Sequence, residues 1–219
     1  MRMLLLWSVI AAGACASAPR TVPVPVRLIV FDGNSLTNSR GGVPAYPSLL
    51  AIPTNITTAN VSARGSTTVE QDALAATAVD ALHRDGLCLV VMWEGANDLY
   101  FGATAEQAID HLRQYAARRR AAGFVVLLAS LLPRSDAGLS PNYEARRQAV
   151  NTWLRAHHQE IADGFIDIGR DPAMGAAGQE LNRRYYLPDR VHLAAGGARR
   201  VARLVAAALH PYDARIRLR

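Results

Sequence analysis

The chain has 219 residues, half of them hydrophobic, and a formal net charge of +6. That length and composition suit one α/β domain with a sizeable core, and they exclude disordered, collagen-like and low-complexity classes. All 24 basic residues are arginine, and their clusters carry no interleaved aromatics, which speaks against a nucleic-acid groove.

Met1-Arg2-Met3 gives a positive start, followed by the apolar run Leu4 to Ala12 and the small-x-small patterns Ala14-Cys15-Ala16 and Ala16-Ser17-Ala18. This order predicts a signal peptide over residues 1–18 and an exported protein, periplasmic or secreted. The run is too short for a stable membrane span. Lipid attachment at Cys15 is the alternative, weakened by the lack of a large apolar residue three positions earlier. Residues 19–25 form an extended, Pro-containing lead-in, and residues 26–219 form the folded domain.

Within the domain, the apolar run Val26 to Phe31 predicts a buried parallel strand. Thr57 to Ala63 is a weaker strand, and Thr68 to Arg84 has helical spacing. Leu87 to Trp93 is the strongest strand. Thr104 to Ala122 predicts a helix capped by Thr104 and ended by Gly123. Phe124 to Leu131 is a fourth strand, Pro141 to Ala162 a helix, Gly164 to Ile168 a short fifth strand, and Ala194 to Leu209 the last helix. This alternation predicts a five-stranded parallel sheet covered by helices on both faces, a three-layer α/β/α sandwich. The arginine clusters at Arg118 to Arg120, Arg146 to Arg147 and Arg199 to Arg200 fall in the helical segments and read as solvated faces, although net positive charge can steer an anionic surface or substrate. Cys88 sits in a strand and reads as a small buried hydrophobe. The six histidines show no ligand spacing, so no metal site is expected.

Sites in such sheets lie outside the carboxyl ends of the strands, and the residues there carry the chemistry. Asp32-Gly33-Asn34-Ser35-Leu36-Thr37 follows the first strand. Gly33 permits a tight turn. Ser35 is expected near the start of a helix, where the N-terminus favours negative charge, but alone it fits a capped turn as well as a nucleophile. Arg64-Gly65-Ser66 follows the second strand, and its glycine lets a backbone N–H approach a substrate oxygen. Glu94-Gly95-Ala96-Asn97-Asp98 follows the third. There Asn97 can aim its amide into the site, Asp98 can brace the loop, and Glu94 reads as a loop residue. Asp189-Arg190-Val191-His192 precedes the last helix. An Asp and a His three residues apart share one side of a turn, so the carboxylate can hold the imidazole while its other nitrogen stays available.

Taken together and in this order, the four blocks resemble the GDSL/SGNH hydrolase family, named for Ser, Gly, Asn and His. Ser35, Gly65, Asn97 and His192 match those four, Gly95-Ala96-Asn97-Asp98 matches G-x-N-D, and Asp189-Arg190-Val191-His192 matches D-x-x-H. The resemblance runs from about Val26 to Leu209. It implies a flavodoxin-like fold and cofactor-free, metal-free ester hydrolysis. Ser35, His192 and Asp189 are the implied triad, and the oxyanion is held by the N–H groups of Ser35 and Gly65 and the amide of Asn97. One position departs: Asn34 replaces the aspartate of G-D-S-L, leaving Asn34 and Asp98 as loop support.

The expected substrate is a small-molecule, glycan or lipid ester. A carbohydrate or cell-wall O-acetyl group is one option, a lysophospholipid or acyl thioester another. The segments Pro133 to Tyr143 and Arg170 to Tyr186 are candidate pocket walls, with Tyr185 and Tyr186 as aromatic contacts. The competing readings are a silent binding module on the same fold and a nucleotide-binding flavodoxin-like protein. The latter lacks a G-x-G-x-x-G or Walker pattern. The sequence leaves the oligomeric state open.

Overall fold

The computed structural model describes residues 24–38 and 40–219. The expected signal peptide, Cys15 and residues 19–23 of the lead-in lie outside the described residues. In chain order the elements are β1 (Val26–Gly33), β2 (Leu50–Ala51), β3 (Thr57–Asn60), α1 (Thr68–Ala78), β4 (Leu87–Trp93), α2 (Ala96–Tyr100), α3 (Ala105–Ala121), β5 (Val125–Ala129), α4 (Tyr143–Ile161), β6 (Gly164–Ile166), α5 (Ala195–Leu209) and β7 (Arg217–Leu218), with short 3₁₀ turns between some of them.

Five strands pair in parallel in the order β3-β1-β4-β5-β6. The runs are continuously apolar because both faces of the sheet are covered. Side chains alternate across a strand, so Leu28, Val30, Cys88, Val90 and Met92 pack with residues of α1, α3 and α4. Ile29, Phe31, Leu89, Val91 and Trp93 pack with Val201, Val205 and Leu209 of α5. Each such fully buried side chain contributes roughly 1.5–3 kcal/mol. The result is the expected three-layer sandwich. Its connections reverse direction between β1 and β4, so the crevice at their carboxyl ends is the topological switch point.

Helix starts follow local chemistry. Thr104 caps α3 in a capping box with Gln107, and Thr67 caps α1 with Glu70. The helix expected over Thr68 to Arg84 ends earlier, at Ala78. Val79 turns into the core, and Asp80 begins a 3₁₀ turn while its carboxylate pairs with Arg119 at 2.9 Å.

Two members of the arginine clusters are not solvated. Arg119 is 3% exposed and Arg147 2%. Arg147 pairs with Glu144 and donates to the Leu131 carbonyl at 2.9 Å. A buried guanidinium is tolerable only with such partners. A second feature outside the expected pattern is the antiparallel pair β2–β7, which ties the C-terminal segment to the segment following Tyr46. Two residues of pairing are too few to leave an alternation signal.

Candidate active site

Ser35 lies two residues beyond the end of β1, but no helix begins there. Residues 34–37 form a turn in which the Thr37 N–H donates to the Asn34 carbonyl at 3.0 Å. The expected helix N-terminus is therefore absent at Ser35, and no dipole from such a helix acts on it. The turn is tight enough to need glycine behind it, since a Cβ at Gly33 would collide with Thr37 Oγ1.

Across the crevice, Tyr186 and Leu193 form a bridge that closes the turn carrying Asp189 and His192. Asp189 Oδ1 accepts from the backbone N–H groups of Val191 and His192, at 3.1 and 3.0 Å. This capping places Arg190 in the left-handed region at φ +61°. The His192 ring then lies between two partners. Nδ1 is 2.7 Å from Asp189 Oδ2, and Nε2 is 2.9 Å from Ser35 Oγ. The tautomer satisfying both contacts carries its proton on Nδ1, leaving Nε2 as acceptor of the serine hydroxyl.

The electrostatics suit a neutral base. Desolvation, opposed by Asp189 and reinforced by the Arg40 and Arg134 charges, holds the His192 pKa below that of free imidazole. Asp189 is pulled below the usual carboxylate range. Burial works against this, but the backbone and ring hydrogen bonds from His192 outweigh it.

Three candidate donors, Ser35, Gly65 and Asn97, follow β1, β3 and β4 at the carboxyl end of the sheet. Among the described residues, no acceptor takes the N–H of Ser35 or of Gly65. Gly65 sits at φ +81°, a conformation that favours glycine. Asn97 lies in the first turn of α2, which starts after Gly95 at φ +98°. One N–H of its amide goes to the Ser66 carbonyl at 2.8 Å, while Oδ1 accepts from Arg134 at 3.3 Å. Together these contacts fix the amide and leave its second N–H unused. Asp98 braces the site from behind. It accepts from the Thr68 N–H and hydroxyl, both at 2.9 Å, and contacts His111 Nδ1 at 2.8 Å.

A cleft of about 10 Å³, room for about one water, opens beside the serine. Ser35, Leu36, Arg40, Tyr46, His192 and Leu193 are among its lining residues. The two expected walls therefore do not line it. From the first of those segments, Arg134 reaches Asn97, and the Ser135 N–H donates to the Arg190 carbonyl at 3.3 Å. Tyr186 is buried, with its hydroxyl on the Met174 carbonyl at 2.8 Å. Tyr185 packs at the core edge. An open groove of about 550 Å³ lies on the other side, along Ala63, Gly65, Gln71 and Leu74.

Several residues at the site carried no sequence signal of their own. Arg134, just beyond β5, orients Asn97; scanning the end of that strand as the others were scanned points to it. Arg40 reaches Asp189 at 3.7 Å. Glu94, expected as a loop residue, is fully buried beneath the serine turn with Asp32 beside it. Its place follows from strand adjacency, which single residues do not display.

Among the described residues no group of three or more His, Cys, Asp or Glu is arranged to hold a metal, and no helix is long and apolar enough to cross a membrane.

The fold recurs in solved structures. A GDSL-like lipase from Bacteroides thetaiotaomicron shares 20% identity at a TM-score of 0.65, covering 87% of this chain and 92% of that one. A lipase/acylhydrolase from Enterococcus faecalis shares 16% at 0.63, covering 89% and 99%. A member of the lipolytic protein G-D-S-L family from Veillonella parvula shares 16% at 0.64, covering 87% and 100%. No curated protein matches the chain. The model of the GDSL-like lipase/acylhydrolase family matches residues 31–200, a span that includes every residue of the crevice from Ser35 to His192. The chain belongs to that family and is an ester-hydrolysing serine hydrolase.

Proposed function

We propose that this chain is an exported short-acyl esterase, with O-acetyl groups on carbohydrate or cell-wall glycan as the favoured substrate class. The supporting observation is the hydrogen-bonded line from Ser35 Oγ through His192 to Asp189, opening onto a cleft of about 10 Å³. In this reading Ser35 Oγ attacks the ester carbonyl as His192 Nε2 removes its proton. The tetrahedral oxyanion is met by the N–H groups of Ser35 and Gly65 and the unused N–H of Asn97. His192 then protonates the departing alkoxide, and water, activated by the same imidazole, releases the acid from the acyl-enzyme. Asp189 keeps the ring in the productive tautomer and stabilises the imidazolium. In this reading the acyl end enters that cleft, where a methyl group fits and longer chains are crowded.

The open groove beside Gly65 favours a second reading, a lysophospholipase or acyl thioesterase whose chain lies along Ala63 and Leu74. The intact line of side chains counts against a silent binding module. A p-nitrophenyl ester series from acetate to palmitate separates the readings. A sharp fall in kcat/KM beyond butyrate supports the short-acyl esterase, and a maximum at eight carbons or more overturns it. Export is tested by the N-terminal sequence of protein recovered outside the cytoplasm: loss of residues 1–16 or 1–18 is expected, and an intact Met1 contradicts it.

A further inference from the structure

A polar floor lies beneath the serine turn, and the proposed chemistry does not use it. Asn34 organises that turn. Its side-chain oxygen accepts from the Leu36 N–H at 3.1 Å, and its backbone carbonyl accepts from the Thr37 N–H at 3.0 Å. Ser35 is thus bracketed by two hydrogen bonds to its predecessor. The Asn34 amide nitrogen fastens the turn to the end of β4, lying 3.4 Å from Glu94 Oε2 and 3.5 Å from the Trp93 carbonyl.

Glu94 is 0% exposed, and its Oε1 has no hydrogen-bond partner among the described residues. Besides Asn34, the groups facing it are Asp32 from β1, Asp98 from α2, Gln71 from α1 and the Tyr115 hydroxyl from α3. None is cationic. The nearby cation, Arg119 on α3, acts on Asp32, which also accepts from Gln71 and from the Tyr115 hydroxyl. An ionised Glu94 would therefore be a buried charge facing two acidic neighbours, with only the neutral amides of Asn34 and Gln71 to offset it, an arrangement that proteins avoid by protonation. Burial and those neighbours indeed push Glu94 well above the usual carboxylate range, whereas Asp32, with its own donors, rises only to about 6.

We propose that Glu94 is a positioning residue that acts as a neutral acid, holding the nucleophile turn through Asn34, so that Asn34 and Glu94 together replace the carboxylate usual before the serine. An aspartate at position 34 would put a carboxylate oxygen against Glu94 Oε2 and the Trp93 carbonyl, adding a second buried charge near Asp32. Asn34 and Glu94 therefore form a matched pair, and changing one alone should displace Ser35. The inference rests on Ser35 being the nucleophile.

The test measures kcat and KM on p-nitrophenyl acetate, fluorophosphonate labelling of Ser35, and melting temperature. The purified variants are Glu94→Gln, Glu94→Leu, Asn34→Asp and the double variant Asn34→Asp/Glu94→Gln. Glu94→Gln keeps the acceptor for Asn34 without the acid and should stay within about threefold of the unmodified protein. Glu94→Leu keeps the bulk but not the acceptor, and Asn34→Asp adds the charge. Each should lower kcat by about tenfold or more with KM nearly unchanged, as a misplaced nucleophile does. The double variant should recover most of the Asn34→Asp loss, because a glutamine amide can donate to the new carboxylate. Should Glu94→Leu fail to fold, the comparison of Asn34→Asp with the double variant decides. Equal activity of those two, or a fully active Glu94→Leu, overturns the proposal. An unmodified protein that is not labelled at Ser35 overturns the reading of the site and this inference with it.

Discussion

The two sides of the crevice are built on opposite principles. The rim, Asp189 and His192 with Ser35, is partly open to solvent and assembled from short turns whose hydrogen bonds span two or three residues. The floor, Asp32, Asn34 and Glu94, is dry, and its contacts join residues far apart in the chain. A rim of short turns lets the catalytic groups be reached by substrate while local capping keeps them in place. A dry floor makes each polar contact stronger and each mismatch more costly. The chemistry resides in the rim and its geometry in the floor.

The largest effects should come from the rim. Ser35→Ala should cost roughly 10⁶-fold in kcat, and Asp189→Asn, which spoils the tautomer, roughly 10⁴-fold. Both should leave the melting temperature nearly unchanged, since neither side chain fills the core. A large loss of stability in Ser35→Ala would break the separation of rim from floor. Next comes Asn97→Ala, which removes one oxyanion donor and should lower kcat about 10²–10³-fold with little change in KM. A change confined to KM would reassign Asn97 to ground-state binding.

The pH profile sharpens the same contrast. His192 must be neutral to accept the serine proton, and its pKa is held below 6.5. Activity should therefore rise with pH through an apparent pKa below 6.5 and be nearly complete at neutrality. An acid limb centred above 6.5 would mean that Asp189 outweighs the burial and the two arginines. The smallest effect belongs to Arg190, the non-glycine residue at φ +61° in the Asp189–His192 turn. Arg190→Gly should relieve the left-handed strain, with a net gain of up to about 1 kcal/mol in urea unfolding and kcat little changed. A loss of stability would show that the side chain is needed at the rim.

The rim was legible in the sequence because its signals are local. Asp189 and His192 fall within one turn, Gly33 marks the tight exit from β1, and Ser35 and Asn97 follow readable apolar strands. The same rule misplaced Ser35 at a helix start, because the residues after it form hydrogen-bonded turns closed by Asn34 rather than a helix. The floor was not legible. Glu94 looks like any acidic loop residue until β1 and β4 are known to be neighbours, and Arg119 and Arg147 look solvated until Asp80, Glu144 and the Leu131 carbonyl are placed beside them. The small cleft was likewise hidden, because much of its lining, Leu36, Arg40, Val43 and Pro44, lies outside the regular elements.

The central claim is that Ser35 is the nucleophile, and peptide mass spectrometry of the fluorophosphonate-inhibited protein tests it most directly. A single adduct on Ser35, formed in parallel with loss of esterase activity and absent from His192→Ala, is the predicted result. Complete inhibition with the adduct on another residue, or full turnover by Ser35→Ala, would contradict it.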